Sequence, residues 1–290
     1  MISIVIPTYN AQSYLPKLLE SIKSQSVKEY ELIIIDSSSK DETVAIAKQY
    51  TENVIVIPQS EFDHGGTRAY AAKIAKGEVL VFLTQDALPF DEFAIENIVK
   101  TFSDEKVGAA YGRQLSYSET TLFGKHLRAF NYGENSYVRS LEDKNRYGLK
   151  TAFLSDSFAA YRKSALEGIG WFKDGLILGE DTYAGAKMLL AGHSLAYVAE
   201  AKVYHSHSYT VWQEFQRYFD IGVFHRCEEW ILREFGKAEG EGMKYIKSEV
   251  NYLLANGAWY LLPEFFVRNG MKYTGYKLGQ KYEKLPKWLI

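Results

Sequence analysis

A single cysteine, Cys227, occurs in 290 residues. An intrachain disulfide is excluded, as is any zinc or iron–sulfur site built on several thiolates, and a reducing cytoplasm is the expected compartment. Charge of one sign is also lacking: 34 Lys and Arg stand against 36 Asp and Glu, a net of −2. A general nucleic-acid binder is basic over a whole face, so no nucleic-acid partner is expected. Long apolar runs are missing too. Ile2–Ile6 stops at Pro7, and Tyr252–Val267 is broken by Asn256, Gly257, Pro263 and Glu264, so neither a leader nor a spanning helix is expected. No Gly-x-Gly-x-x-Gly follows the first apolar run and no Gly-x-x-x-x-Gly-Lys occurs, which removes the glycine-opened helix N-terminus that cradles phosphates in dinucleotide and P-loop proteins. There is no Gly-x-Ser-x-Gly, and Cys227 lies in a helical pattern without a base beside it.

What is present is an ordinary globular balance, 47% hydrophobic and 24% charged, with 15% aromatic residues that include 22 tyrosines. Tyrosine combines a flat apolar body with a polar tip and suits sugar faces, interfaces and membrane surfaces. Apolar β-rich runs at Ile2–Ile6, Glu31–Ile35, Val54–Ile57, Val79–Leu83 and Val107–Tyr111 alternate with helical patterns at 11–24, from Asp41 as N-cap through Tyr50, at Gly65–Lys76 and at 91–102. The alternation predicts an α/β layered domain with a mainly parallel sheet. Residues 113–150 show no clear period and read as a loop over a site or a surface excursion, with Arg113, Arg128, Arg139 and Arg146 in it. Structure resumes at Ala152–Tyr161, followed by a helix over Glu180–Leu190 and short strands at Ala196–Val198 and Lys202–His205.

In such sheets ligands gather beyond the strands' carboxyl ends. Three polar clusters fall there: Pro7-Thr8-Tyr9-Asn10, Asp36, and Thr84-Gln85-Asp86. In Phe62-Asp63-His64-Gly65-Gly66-Thr67-Arg68 two glycines allow close backbone approach, and Arg68 carries a planar fork suited to phosphate. Glu180-Asp181 opens a helix, where acids are favoured by the dipole and a capping role competes with a chemical one. His205 and His207 alternate and share one face, so one of them with Asp86 can complete an O/N site for Mg²⁺ or Mn²⁺. His126, His193 and His225 read as structural.

The ordered set Ser3-Ile4-Val5-Ile6-Pro7-Thr8-Tyr9-Asn10, Asp36, Gln85-Asp86-Ala87, Gly179-Glu180-Asp181 and Val203-Tyr204-His205 resembles the family-2 glycosyltransferases across about residues 1–210. The segment Phe62–Arg68 with Thr84-Gln85-Asp86-Ala87 further resembles the bacterial rhamnosyltransferase subgroup. The resemblance implies a GT-A nucleotide-diphospho-sugar transferase fold and an inverting transfer of L-rhamnose from dTDP-L-rhamnose to a growing capsule, O-antigen or cell-wall polysaccharide. It implies a substrate-binding set of Pro7, Thr8, Tyr9, Asn10, Asp36, His64, Gly65, Arg68, Gln85, Asp86 and Glu180, with Thr8, Tyr9 and Asp36 on base and ribose and Arg68 on the diphosphate. Asp86 and His205 would hold Mg²⁺ or Mn²⁺, and Asp181 would be the catalytic base. Thr84 stands where the family motif has its first acid, which leaves a weaker metal site. Two alternatives stay open: a UDP-hexose donor on the same fold, and a non-catalytic sugar-nucleotide or glycan-binding partner.

Beyond Tyr209 the period turns helical, with Trp212, Phe215, Phe219 and Val223 on one face and a second helical region at 242–267. Residues 211–290 therefore read as a helical C-terminal extension to a catalytic domain at 1–210. Its last segment, 268–290, has Arg268, Lys272, Lys277, Lys281, Lys284 and Lys287 against Glu283, interleaved with Tyr273, Tyr276, Tyr282 and Trp288. Such a segment fits an anionic membrane surface at the cytoplasmic face, a lipid-linked saccharide acceptor, a homodimer contact or a plain solvated helix.

Overall fold

The computed structural model describes residues 1–236 and 239–286. In chain order the elements are β1 (Ile2–Thr8), α1 (Leu15–Lys23), β2 (Tyr30–Asp36), α2 (Thr43–Ala47), β3 (Val54–Val56), α3 (His64–Ile74), β4 (Val79–Leu83), β5 (Leu88–Pro89) and α4 (Ala94–Val99). Then follow β6 (Val107–Leu115), α5 (Leu122–Asn131), β7 (Tyr137–Arg139), α6 (Lys144–Tyr147), β8 (Phe158–Arg162), α7 (Lys163–Gly168), α8 (Glu180–Leu190) and β9 (Ser194–Tyr204). Four helices complete the chain: α9 (Val211–Cys227), α10 (Glu229–Phe235), α11 (Glu239–Ala255) and α12 (Leu262–Gly279).

The strands form one sheet in the order β3-β2-β1-β4-β8-β6-β9-β5, with β7 on β9. β3, β2, β1 and β4 are parallel, so Thr8 and Asp36 are register partners at one edge of the layer. β8 runs antiparallel between β4 and β6, which carries Ser155–Ser157, the turn before it, to the same edge; Thr84 N–H bonds to Ser157 C=O at 3.3 Å. The central strands are apolar on both faces because helices cover both. Val5, Ile33, Ile35 and Phe82 pack toward α3 and α8, while Ile4, Ile6, Ile34 and Val81 pack toward α1 and α4.

Four expectations are corrected. The span 113–150 is neither loop nor surface excursion: it contains α5, β7 and α6. α5 packs Phe123 into a cluster with Leu253, Ala258 and Phe265, far along the chain, while β7 is held by contacts that carry no hydrophobic period. Arg139, 1% exposed, bonds the carbonyls of Lys150 and Phe153 and lies 5.4 Å from the centre of the Tyr111 ring. Asp41 does not cap a helix reaching Tyr50; its carboxylate takes the Thr43 N–H, and the helix itself covers only Thr43–Ala47. The two short strands at 196–205 are one strand, because β9 continues across a bulge opposite Gly112/Arg113. The helical span 242–267 is two helices, separated at Asn256-Gly257-Ala258, where Gly257 has a φ of 68°.

α12 packs lengthwise on α9 at a separation only glycine permits. A Cβ on Gly275 would lie 2.5 Å from the Phe215 carbonyl oxygen, and one on Gly279 would lie 2.0 Å from that of Phe219. Phe215 and Phe219 therefore do face a neighbour, whereas Trp212, expected on the same face, stacks on Phe215 at 4.9 Å and stays 58% exposed. The basic segment is also less basic at its surface than its composition. Arg268 and Lys272 are buried, Arg268 paired to Glu214 and Glu264 and Lys272 to Glu214. Lys287 and Trp288 lie outside the described residues.

Gly279→Val forces the α9–α12 backbones apart and is expected to cost about 2–3 kcal/mol, lowering Tm by ~5 °C or more in thermal denaturation. Gly270→Ala, at an exposed position with nothing within 4 Å, is expected to leave Tm unchanged or raise it slightly.

Candidate functional site

The loops leaving β1, β2 and β4 are stitched into one rim. Tyr9 N–H donates to Gln85 Oε1 (2.8 Å) and Gln85 Nε2 returns a bond to Tyr9 C=O (3.2 Å). Asn10, in the left-handed region at φ 47°, accepts from Lys40 N–H at 2.9 Å through its side chain. Beneath this rim Asp36 is fully buried, and its carboxylate accepts from Thr8 Oγ1 (2.9 Å) and from the Ser39 amide and hydroxyl.

At the β4 exit Asp86 meets two imidazoles. His205 Nε2 lies 3.5 Å from Asp86 Oδ1, His207 Nε2 lies 3.6 Å from Asp86 Oδ2, and the two Nε2 atoms are 3.1 Å apart. His205 Nδ1 faces Gln114 Oε1 at 2.8 Å. An amide oxygen only accepts, so Nδ1 carries a proton and Nε2 is left to the cluster, donating to Asp86 when the ring is charged and offering a lone pair to a cation when it is neutral. Gln114 is itself fixed, since its oxygen also accepts from Arg128 and its Nε2 donates to Ser155 Oγ at 2.8 Å. Burial raises the Asp86 carboxyl, but the hydrogen bond and charge of His205 outweigh it and hold the group well below the usual carboxylate range. His207 is pushed down to about 4, by burial first and then by the His205 ring, against the pull of Asp86. One carboxylate and two imidazole nitrogens, all ligand atoms within 4.8 Å of one another, form a donor set that a divalent cation of borderline softness fits. A cleft of about 390 Å³ opens beside them, lined by Tyr14, Lys17, Gln85, Asp86, Tyr117 and His207.

A second charged group sits behind residues 155–157. Arg68, 5% exposed, pairs with Asp156 through Nε (3.1 Å) and with Glu180 through Nη1 (3.1 Å), and donates to the His64 carbonyl. Tyr161 OH donates to Asp156 at 2.5 Å. Asp181, half-buried at the start of α8, accepts from the Thr182 amide (2.6 Å) and from the Asp156 amide (3.3 Å). Burial and the adjacent Glu180 push the Asp181 carboxyl up to about 6, while burial pushes Asp156 up to about 8 despite Arg68.

A family model described as Glycosyl transferase family 2 matches residues 3–170. The chain belongs to that family. This family-2 glycosyltransferase is 47% identical over 287 residues to the O-antigen chain rhamnosyltransferase RfbN of Salmonella typhimurium strain LT2, covering 98% of this chain and 91% of the relative. It is 46% identical over 286 residues to the O-antigen chain rhamnosyltransferase WbaN of Salmonella anatum, covering 98% and 90%. Among solved structures, the mannosyltransferase PcManGT of Pyrobaculum calidifontis, in complex with GDP-Man and Mn²⁺, superposes with a TM-score of 0.69 at 17% identity, over 98% of this chain and 88% of that one. Residues 1–349 of S. aureus TarS superpose with a TM-score of 0.59 at 16% identity, over 98% and 91%. These likenesses establish the GT-A fold expected from the sequence.

The expected substrate-binding set divides in two. Tyr9, Asn10 and His64 are exposed, and Gln85 and Asp86 line the cleft. Pro7, Thr8, Asp36, Gly65, Arg68 and Glu180 lie beneath it. Thr8 and Asp36 bond each other and do not face outward. Gly65 is needed for packing, because a Cβ there would sit 1.8 Å from the Lys173 carbonyl oxygen. Arg68 is not on the open face at all; two buried acids hold it. Lys17 lines the cleft, and a second cation near His207 was not legible in the sequence: Arg217 of the glycosyltransferase's α9, exposed, 5.9 Å from the centre of the Tyr209 ring. Tyr209 in turn lies 5.3 Å from His207, and the Arg217 charge acts on His207 and His64. No motif marks Arg217; only the fold brings α9 to this edge.

Arg68→Met strands Asp156 and Glu180 without a counter-charge. It is expected to cost about 3–5 kcal/mol in urea unfolding, while Lys76→Met, which removes an exposed ammonium 4.0 Å from the largely buried Glu31, is expected to change stability by less than about 1 kcal/mol.

Proposed function

We propose that this enzyme is an inverting rhamnosyltransferase that moves L-rhamnose from dTDP-L-rhamnose to a hydroxyl of a growing, lipid-linked polysaccharide. The reading is supported above all by the 47% identity, along nearly the full length of both chains, with a protein named as an O-antigen chain rhamnosyltransferase. Residues 1–210 would form the catalytic domain and 211–290 an extension that lends Arg217 to the site.

The acceptor hydroxyl has a pKa far above neutrality and must lose its proton as it attacks. Asp181 is the base: its carboxylate takes that proton while the acceptor oxygen bonds to the anomeric carbon. The bond from that carbon to the diphosphate oxygen breaks on the opposite face, dTDP leaves with the electron pair, and the configuration inverts. A β-linked donor thus yields an α-rhamnoside. An acid pushed up to about 6 is a stronger base than an ordinary aspartate and is still ionised at neutral pH. Asp86 and His205, joined by His207, would hold the divalent cation, which when bound supplies positive charge beside the donor diphosphate. Two imidazoles favour Mn²⁺ over Mg²⁺, and His207 stands in for the acid that Thr84 lacks. Since Arg68 is buried, Arg217 takes the role of the protein's own cation toward the diphosphate. Tyr9, Asn10 and Gln85 would bound the nucleoside.

Asp181→Asn is expected to leave the dTDP-induced rise in Tm intact while lowering transfer by roughly 10²–10⁴-fold; normal turnover would remove Asp181 as base. In the parent enzyme kcat/KM is expected to fall tenfold per pH unit below about 6 and to level off above it, because the carboxylate form is the active one.

A thermal-shift panel of dTDP, UDP and GDP with and without Mn²⁺ tests the donor: selective, metal-enhanced protection by dTDP is expected, protection by UDP alone would replace rhamnose with another sugar, and no response would favour a binding role without catalysis. His207→Ala is expected to weaken Mn²⁺ binding by at least about tenfold in titration calorimetry.

A further inference from the structure

The α11–α12 hairpin presents an outer face that has lost its acids. Between residues 242 and 282 the chain has only two, although it carries 36 overall. Glu249 is fully buried with Tyr245 and Asn269, and Glu264 is committed to Arg268 at 2.6 Å. The cations of the same span are split differently. Arg268 and Lys272 are spent inside on Glu214, while Lys247 and Lys281 are exposed, as is Lys284 just beyond, where the exposed Glu283 is paired to Arg226. Internal ion pairing thus leaves the unpaired exposed charge of this hairpin positive.

In the turn between the helices and on α12 many of the exposed residues are large and apolar. Trp259 is 69% exposed, Tyr260 63%, Phe266 68%, Val267 56% and Tyr273 64%. On α12 the positions 263, 266, 267, 270, 273 and 274 fall on a single helical stripe, opposite the glycines that meet α9. Trp259 and Tyr260 continue it at the turn between the helices. An exposed stripe with this much aromatic and aliphatic surface is uncommon on a soluble surface that meets only water. Trp and Tyr with flanking lysines match the interfacial zone of a bilayer, where the rings sit at headgroup depth and the ammonium groups meet lipid phosphates. Among the described residues no helix is long and apolar enough to cross a membrane, so contact of this face would be with the surface.

We infer that the outer face of the α11–α12 hairpin is a docking surface for an anionic lipid bilayer, with Trp259, Tyr260 and Phe266 inserted at headgroup depth and Lys247, Lys281 and Lys284 on the phosphates. It relocates the expected membrane contact from the charge of the last segment to an apolar stripe, and it stands independently of which nucleotide the donor carries.

The test is co-sedimentation of the full chain with phosphatidylglycerol/phosphatidylethanolamine vesicles and with phosphatidylcholine vesicles. The parent protein is expected to pellet with the anionic vesicles and far less with the zwitterionic ones. Phe266→Asp and the double variant Trp259→Ala/Tyr260→Ala are expected to lower partitioning at least tenfold. Lys281→Glu/Lys284→Glu is expected to lower it roughly tenfold on anionic vesicles only. Nucleotide-induced protection in the same variants reports an intact fold and donor site, so loss of vesicle binding with retained protection isolates this surface. Equal pelleting of parent and Phe266→Asp overturns the inference. So does absence of pelleting by the parent, and so does a dimer in light scattering that Phe266→Asp splits, which would assign the face to a second copy of the chain.

Discussion

Arg68 carries a charge with almost no water to share it, and the carboxyl end of the sheet is arranged around that fact. A buried guanidinium is tolerated only if acids of fixed geometry surround it. Asp156 and Glu180 do so at 3.1 Å each, and they come from different parts of the chain: the turn before β8 and the first position of α8. Satisfying one cation therefore ties three elements together. The glycine at 65 lets α3 approach the 173–174 backbone closely enough for this, and Asp63 adds a bond to the Gly175 amide at 3.1 Å. A segment that resembles a phosphate loop in sequence is thus the keystone of the acidic side of the site.

That keystone has an electrostatic consequence. Three carboxylates, on Asp156, Glu180 and Asp181, share the field of one arginine, so the environment resists a full complement of negative charge. Asp156 is pushed up furthest and Asp181 less far, because two backbone amides stabilise the Asp181 carboxylate. In the proposed reaction this is what a base requires: basic enough to accept a proton from a hydroxyl, yet ionised at neutral pH. The turn at 155–157 also receives Gln114, which orients His205. The acid side and the Asp86–His205–His207 side are therefore positioned by one scaffold. The helices after residue 210 repeat the same logic on a larger scale: α12 packs closely on α9 through its glycines, Arg268 and Lys272 are buried against Glu214, and α9 carries Arg217 to Tyr209, beside His207.

Much of this was legible in the residues. β1, β2 and β4 declare themselves because strands covered on both faces must be apolar throughout, and α8 declares itself by a glycine followed by two acids at a helix start. Asp86 and His205 stood out as candidates because polar residues at strand exits are where such sheets place ligands, and Asp181 because Gly179-Glu180-Asp181 resembles the family's motif. The span 113–150 was not legible, since β7 is held by Arg139 and tyrosine rings, contacts without a period, and the apolar face of α5 is short and meets partners more than 100 residues later. Arg68 was recognised as important for the wrong reason. Its side-chain chemistry fits a phosphate or a carboxylate equally well, and only burial distinguishes them.

The sequence by itself determined which segments become strands and helices in the N-terminal half, and which side chains could carry chemistry, because both depend on local spacing and on the intrinsic properties of each residue. The tertiary structure alone decided which of those side chains face a ligand and which face each other. It buried Thr8, Asp36, Arg68 and Glu180, brought His207 to Asp86, and brought the Arg217 charge near His64, more than 150 residues earlier in the chain. Burial, long-range pairing and the sign of a surface are sums over residues distant in sequence, and they acquire values only when the chain has closed on itself.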